Sequence, residues 1–212
     1  MLKNVIFDLD GTLVDSKRDI AAAQHWVLGQ LGVHSYRPEE LFPLIGKPLA
    51  ETFATLLPPD LHGRIPEATE LYKNHYPPRA LETTTLFPGV KETLETLRSK
   101  GFHLATATTK LSTGTRRVLT HFGIAHHFDQ IQGSDNMPFK PDPFIITKIL
   151  NDQSWEASCT IMVGDTDNDI LAGKRAGLKT CGVTYGSLTK QQIQELGPDI
   201  VIDSLNDLLG FL

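Results

Sequence analysis

Two cysteines in 212 residues cannot build a disulfide framework, and Cys159 and Cys181 both lie in apolar segments where a small thiol reads as core packing. Their scarcity suits a reducing compartment. The N-terminus also lacks the roughly 7–15-residue apolar stretch of a signal peptide, so the expected location is cytoplasmic. No run approaches the ~20 apolar residues of a membrane span, which argues against a membrane partner. Positive charge is scarce too: 20 Lys and Arg against 25 Asp and Glu leave a net charge of -5, with no basic cluster of the kind a nucleic acid requires. The eight histidines form no ligand cluster. His25, His62 and His75 are scattered, His126-His127 adjoin a helix end, and all lack the company of a zinc site, so they read as surface or packing residues. Internal repeats, low-complexity tracts and long linkers are absent as well. What remains is a chain with 40% apolar residues, enough for an ordinary globular core without a partner's help.

That chain is organised around Val5-Ile6-Phe7-Asp8-Leu9-Asp10-Gly11-Thr12-Leu13. The opening apolar run reads as a buried parallel strand, and in an open α/β sheet the ligand site lies at the carboxyl ends of such strands. Asp8 therefore falls at a strand mouth. Gly11 frees the backbone to turn sharply, so that Asp10 can face the same cavity as Asp8. On its own an Asp-x-Asp pair reads equally well as a turn.

After Ser16 the pattern becomes helical. Ile20, Ala23, Val27 and Leu31 recur at helical spacing before a stop at Gly32, and residues 38–41, 48–57 and 67–76 read as further helices punctuated by Pro and Gly. Strand and helix alternate from Pro88 onward. Strands are expected at 102–107, 129–132, 160–163 and 180–183, helices at 90–100, 112–122, 143–150, 168–176 and 189–196, and a late edge strand at 199–202. The alternation predicts an α/β fold, a doubly wound, Rossmann-like parallel sheet. An α-helical cap domain (16–80) interrupts a core made of 1–15 and 81–212. The two crossings between them could serve as hinges.

Further motifs then line up in order. Thr108 ends the second core strand, Lys140 stands in Phe139-Lys140-Pro141-Asp142-Pro143, and Gly164-Asp165-Thr166-Asp167-Asn168-Asp169 follows the strand expected at 160–163. With Asp8-Leu9-Asp10-Gly11-Thr12, this series resembles the haloacid-dehalogenase superfamily of phosphohydrolases, in the branch with a small α-helical cap, and is similar to its phosphoglycolate phosphatase-like members.

The resemblance implies a mechanism. Asp8 would be the nucleophile that forms an aspartyl-phosphate, and Asp10 would protonate the leaving oxygen and later deprotonate water. Two anions facing a phosphate need a counterweight, so Mg²⁺ is the implied cofactor, with Asp8, Asp10 (through its backbone carbonyl), Asp165 and Asp169 as its ligands. Thr108 and Thr109 would hold phosphoryl oxygens, although the family commonly has Asn at the second position; Lys140, stiffened by its prolines, would neutralise charge. Asp167 reads as a helix-entry residue and Lys110 as a solvated one. In the cap, the loop carrying Gly46 and Lys47 is the candidate substrate contact, with Arg79 second. The expected partner is a small phosphorylated metabolite, and the expected assembly is a monomer or homodimer. A sugar-phosphate mutase or a pyrophosphatase would use the same machinery. A phosphoacceptor signalling module shares the acidic metal site and the lysine but needs neither a cap nor an acid/base group two residues past the phosphorylated Asp.

Overall fold

A computed structural model describes all 212 residues. The chain divides into two compact units, one of residues 1–14 and 86–212 and the other of residues 15–85. It passes between them at β2 (Val14–Asp15) and β3 (Thr85–Leu86), which pair as a two-stranded sheet.

The larger unit begins with β1 (Asn4–Phe7) and resumes with α4 (Val90–Ser99), β4 (His103–Ala107), α5 (Ser112–His121), β5 (Gln130–Gln132), α6 (Phe144–Gln153), β6 (Thr160–Gly164), α7 (Asp167–Arg175), β7 (Lys179–Val183), α8 (Lys190–Glu195) and β8 (Ile200–Ile202). The intervening α1 to α3 belong to the smaller unit. Six of the strands form one parallel sheet in the order β5-β4-β1-β6-β7-β8. The chain winds outward from β1 first through β4 and β5, then in the opposite direction through β6, β7 and β8. The order therefore reverses at β1, the position where doubly wound sheets bind their ligands. Register makes that edge level, because Phe7 is aligned with Thr106 on one side and Val163 on the other.

Burial follows from the strand composition. Val5, Ile6, Phe7, Ile161, Met162 and Val163 are fully buried, as expected of strands covered on both faces. Against Ile6, Ala105, Ala107 and Met162 pack Ile145, Ile146 and Ile149 of α6, spaced to share one helix face. Of the two cysteines, Cys181 is buried in β7, whereas Cys159 is only partly covered. No helix is long and apolar enough to cross a membrane.

The smaller unit holds α1 (Lys17–Gln30), α2 (Leu49–Leu56) and α3 (Ile65–Arg79), packed around Val27, Leu28, Leu41, Phe53 and Tyr72. Its second helical segment is a 3-10 helix at Pro38–Leu44, three residues longer than the 38–41 expected, with Pro38 in its first turn, where a missing N–H costs nothing. The third helix runs past the expected residue 76, through Pro77 and Pro78. Asp19 of α1 closes the unit by accepting hydrogen bonds from the backbone N–H and hydroxyl of both Thr83 and Thr84, at 2.6–3.1 Å.

Candidate active site

Asp8 follows β1 directly, and its backbone N–H still donates to the Val163 carbonyl at 2.9 Å, so the residue leaves the sheet from a fixed point. The chain then turns over Gly11, whose φ of 91° lies in the left-handed region that a side chain resists. Space makes the same demand. A Cβ at Gly11 would stand 2.1 Å from an Asp165 carboxylate oxygen, so the turn and the acidic strand end approach as closely as backbone allows. Gly164 plays the matching part beside α7, where a Cβ would stand 2.2 Å from that of Asp169.

Around this edge the sequence motifs converge. Lys140 reaches in from a distant loop and donates to the Asp8 carboxylate at 2.8 Å, to the Ala107 carbonyl at 2.8 Å and to the Asp169 carboxylate. The other Asp169 oxygen accepts from the Thr166 N–H and hydroxyl, a capping box that fixes the carboxylate in the first turn of α7. Asp165 is held by neutral donors only: the Thr12 hydroxyl at 3.0 Å, the Ser187 N–H at 2.8 Å and the Ser187 side chain. Asp8, Asp165 and Asp169 are all buried, and each presents an oxygen within 4.8 Å of the others.

Three carboxylates against one ammonium leave the cluster short of positive charge. Burial pushes the Asp8 carboxyl well above the usual carboxylate range; Lys140 opposes the rise while Asp169 and Asp165 add to it. Burial, reinforced by Asp169, pushes Asp165 up to about 6, in spite of its donors. For Lys140 burial acts downward, yet Asp169 and Asp8 overcome it and hold the ammonium above the ordinary lysine range. An all-oxygen donor set with surplus negative charge fits a hard divalent cation, which would take up the role that protons otherwise fill. Asp10 is not part of that carboxylate cluster, and its side chain pairs elsewhere.

The remaining candidates divide. Thr108 is buried at the end of β4 and its hydroxyl accepts from the Lys110 N–H at 3.3 Å; Thr109 is half-buried beside it. Asp167 is exposed at the start of α7. In the smaller unit Gly46 and Lys47 lie between the 3-10 helix and α2, with Lys47 exposed, and Arg79 ends α3. Lys110 is a correction: far from being solvated, its side chain is only 11% exposed and its ammonium lies 3.2 Å from the Asp10 carboxylate. No local signal marks it, because its partner is a hundred positions away in sequence. Ser187, which holds Asp165 through both its backbone N–H and its side chain, gave no signal either, since nothing in the surrounding sequence marks it, and Thr12 stood inside the first motif without an assigned role.

Comparison with known proteins completes the description. A family model described as haloacid dehalogenase-like hydrolase matches residues 5–183. A phosphoglycolate phosphatase of Vibrio parahaemolyticus is 36% identical, with 98% of this chain and 95% of that protein aligned. A protein of Halalkalibacterium halodurans named pyrophosphatase PpaX is 34% identical over 100% of this chain and 97% of its own. Among solved structures, a haloacid dehalogenase-like hydrolase from Streptococcus pneumoniae superposes with a TM-score of 0.90 at 30% identity, covering 99% of this chain and 98% of that one.

Proposed function

The chain belongs to the haloacid dehalogenase-like hydrolase family, and from that premise we propose that it is a Mg²⁺-dependent phosphatase hydrolysing the phosphomonoester of a small metabolite such as phosphoglycolate. The observation that carries this reading is Asp8 at the reversal point of the sheet, held by Lys140 beside Asp165 and Asp169. Asp8 attacks phosphorus with a carboxylate lone pair, the phosphorus–oxygen bond to the leaving group breaks, and that oxygen takes a proton from Asp10. Water then attacks the aspartyl-phosphate, giving its proton to Asp10 and releasing phosphate and free Asp8. Lys140 orients the Asp8 carboxylate and offsets charge on the transferring group. Thr108 and Thr109 offer a hydroxyl and N–H groups to its oxygens. Mg²⁺, held by Asp8, Asp165, Asp169 and the Asp10 carbonyl, would supply the remaining positive charge. The helical unit, through Gly46 and Lys47, is assigned to substrate choice, and the enzyme to the cytoplasm.

Inorganic pyrophosphate is a second candidate substrate, supported by the relative named a pyrophosphatase, and it needs no change in machinery. The test is a panel of phosphomonoesters and pyrophosphate assayed with and without Mg²⁺, with acid-quenched protein examined for phosphate on Asp8. Many turnovers per molecule with transient label on Asp8 are expected. Stoichiometric labelling without turnover would make the chain a phosphoacceptor module, and turnover without label would remove the covalent step.

A further inference from the structure

The cationic side chain that the phosphatase reading leaves without a task is Lys110. Its place in the fold is fixed at both ends. On the backbone side its N–H donates to the Thr108 hydroxyl at 3.3 Å and its carbonyl accepts from the Ser134 N–H at 3.1 Å, while the Ser134 hydroxyl also grips the Thr109 carbonyl at 2.5 Å. Its stem lies over α5 at Gly114, where a Cβ would stand 3.3 Å from the lysine Cγ and 3.4 Å from its Cδ. Its ammonium ends 3.2 Å from the Asp10 carboxylate, and the two side chains are 11% and 10% exposed. A long, flexible side chain gains little from an ion pair when it is free in solvent, but one threaded across a glycine between two pinned backbone groups has already lost that freedom on folding.

We propose that Lys110 is a positioning residue for the acid/base group: it fixes the orientation of the Asp10 carboxylate so that the proton reaches the leaving oxygen, and later leaves water, along one defined path. The proton moves only between Asp10 and the substrate oxygen or water, and Lys110 takes no part in the transfer itself. The proposal rests on the reading of Asp10 as that acid/base group. Its physical basis is that a misplacement of about 1 Å at a reacting group costs on the order of a hundredfold in rate.

The experiment compares kcat/KM on an alkyl phosphate, whose leaving oxygen needs a proton, with kcat/KM on p-nitrophenyl phosphate, whose leaving group does not. Both are measured with Mg²⁺ for the wild type, Lys110→Met, Lys110→Gln, Lys110→Arg, Asp10→Asn and the Asp10→Asn/Lys110→Met pair. Lys110→Met and Lys110→Gln are expected to lose about a hundredfold on the alkyl ester and at least about tenfold less than that on the aryl ester. Lys110→Arg, which keeps the charge, is expected to recover a substantial part of the alkyl loss. In the Asp10→Asn background Lys110→Met is expected to add less than about threefold, because the group it positions is gone. The thermal unfolding midpoint of each variant separates these effects from loss of fold. Equal losses on the two esters, or a full additional loss in the double variant, would overturn the proposal while leaving the reading of Asp10 intact. An Asp10→Asn variant indifferent to the leaving group would overturn that reading and the proposal with it.

Discussion

The two units of this chain bury charge in opposite ways. In residues 15–85 the only buried acidic or basic side chain among Asp, Glu, Lys and Arg is Asp19, and it meets four neutral donors from Thr83 and Thr84. In the larger unit Asp8, Asp10, Lys140, Asp165 and Asp169 are all buried, three of the acids crowd within reach of a single ion, and Lys140 alone bridges two of them. The first arrangement is a strut, in which every lone pair is answered and nothing more is required. The second raises the free energy of its own acids. A cluster that costs stability persists where it performs chemistry, and the opposite pKa directions of the two units express that difference.

Removing the proposed nucleophile tests the difference most severely. Asp8→Asn is expected to reduce turnover on the order of 10⁴-fold or more, since an amide oxygen does not attack phosphorus at a useful rate. The same change relieves crowding among the acids, so its melting temperature without metal should not fall. Activity within about tenfold of wild type would end the assignment of Asp8. Lys140→Met should act in the other direction on stability. It leaves Asp8 and Asp169 buried without their cation, a loss of about 3–5 kcal/mol in urea titration. A variant as stable as the wild type would mean that solvent reaches the cluster and that the contrast between the units is overstated.

Titration sharpens the contrast. Asp165 is raised to about 6, so in the metal-free protein the native state holds more protons than the unfolded chain between about pH 4 and pH 6, and stability falls as pH rises through that window. Asp19 is lowered by its threonine donors, against burial, so its contribution is complete above the ordinary carboxylate range and is lost as pH falls through its depressed value. Calorimetry without metal should therefore show a melting temperature that rises on going from pH 7.5 to 5 and falls again below pH ~4. Saturating Mg²⁺ should raise the melting temperature more at pH 7.5 than at pH 5, because ion and protons compete for one cluster. An increment independent of pH would place the ion elsewhere.

The sheet and most of its strand ends were legible because buried parallel strands are short apolar runs that announce themselves, as Val5-Ile6-Phe7 and Ile161-Met162-Val163 do. Asp8 and Asp165 were legible as candidates because each stands just past an apolar strand run, whereas Lys140, in a loop, and Asp169, in the first turn of α7, were legible only through the series of motifs that resembles the family. Two things were hidden, for one reason. The pairing of Lys110 with Asp10 and the hold of Ser187 on Asp165 both depend on which distant segments the fold brings together, and helical or strand periodicity carries no such information. The helical segment expected at 38–41 is present as a 3-10 helix at Pro38–Leu44, three residues longer than its proline-led start announced.

The smallest expected effect belongs to the helical unit and separates choosing a substrate from transforming it. Lys47 is exposed in a short loop after Gly46, whose φ of 90° requires glycine, so the loop conformation is fixed even though the lysine head is free to meet an anion. A substrate with a second charge, such as the carboxylate of phosphoglycolate, offers a partner that an aryl phosphate lacks. A hydrogen bond to a charged group contributes about 1.5–3 kcal/mol, and solvent around an exposed lysine reduces this toward ~1 kcal/mol, so Lys47→Ala should lower the ratio of kcat/KM for phosphoglycolate over p-nitrophenyl phosphate by roughly fivefold to tenfold. The loss should appear in KM, because binding a remote charge equally in ground and transition states leaves kcat in place. A loss that falls equally on both esters would assign Lys47 to the phosphoryl group and erase the division of labour between the units; an unchanged ratio would return substrate choice to the larger unit, where Lys110 already stands beside Asp10.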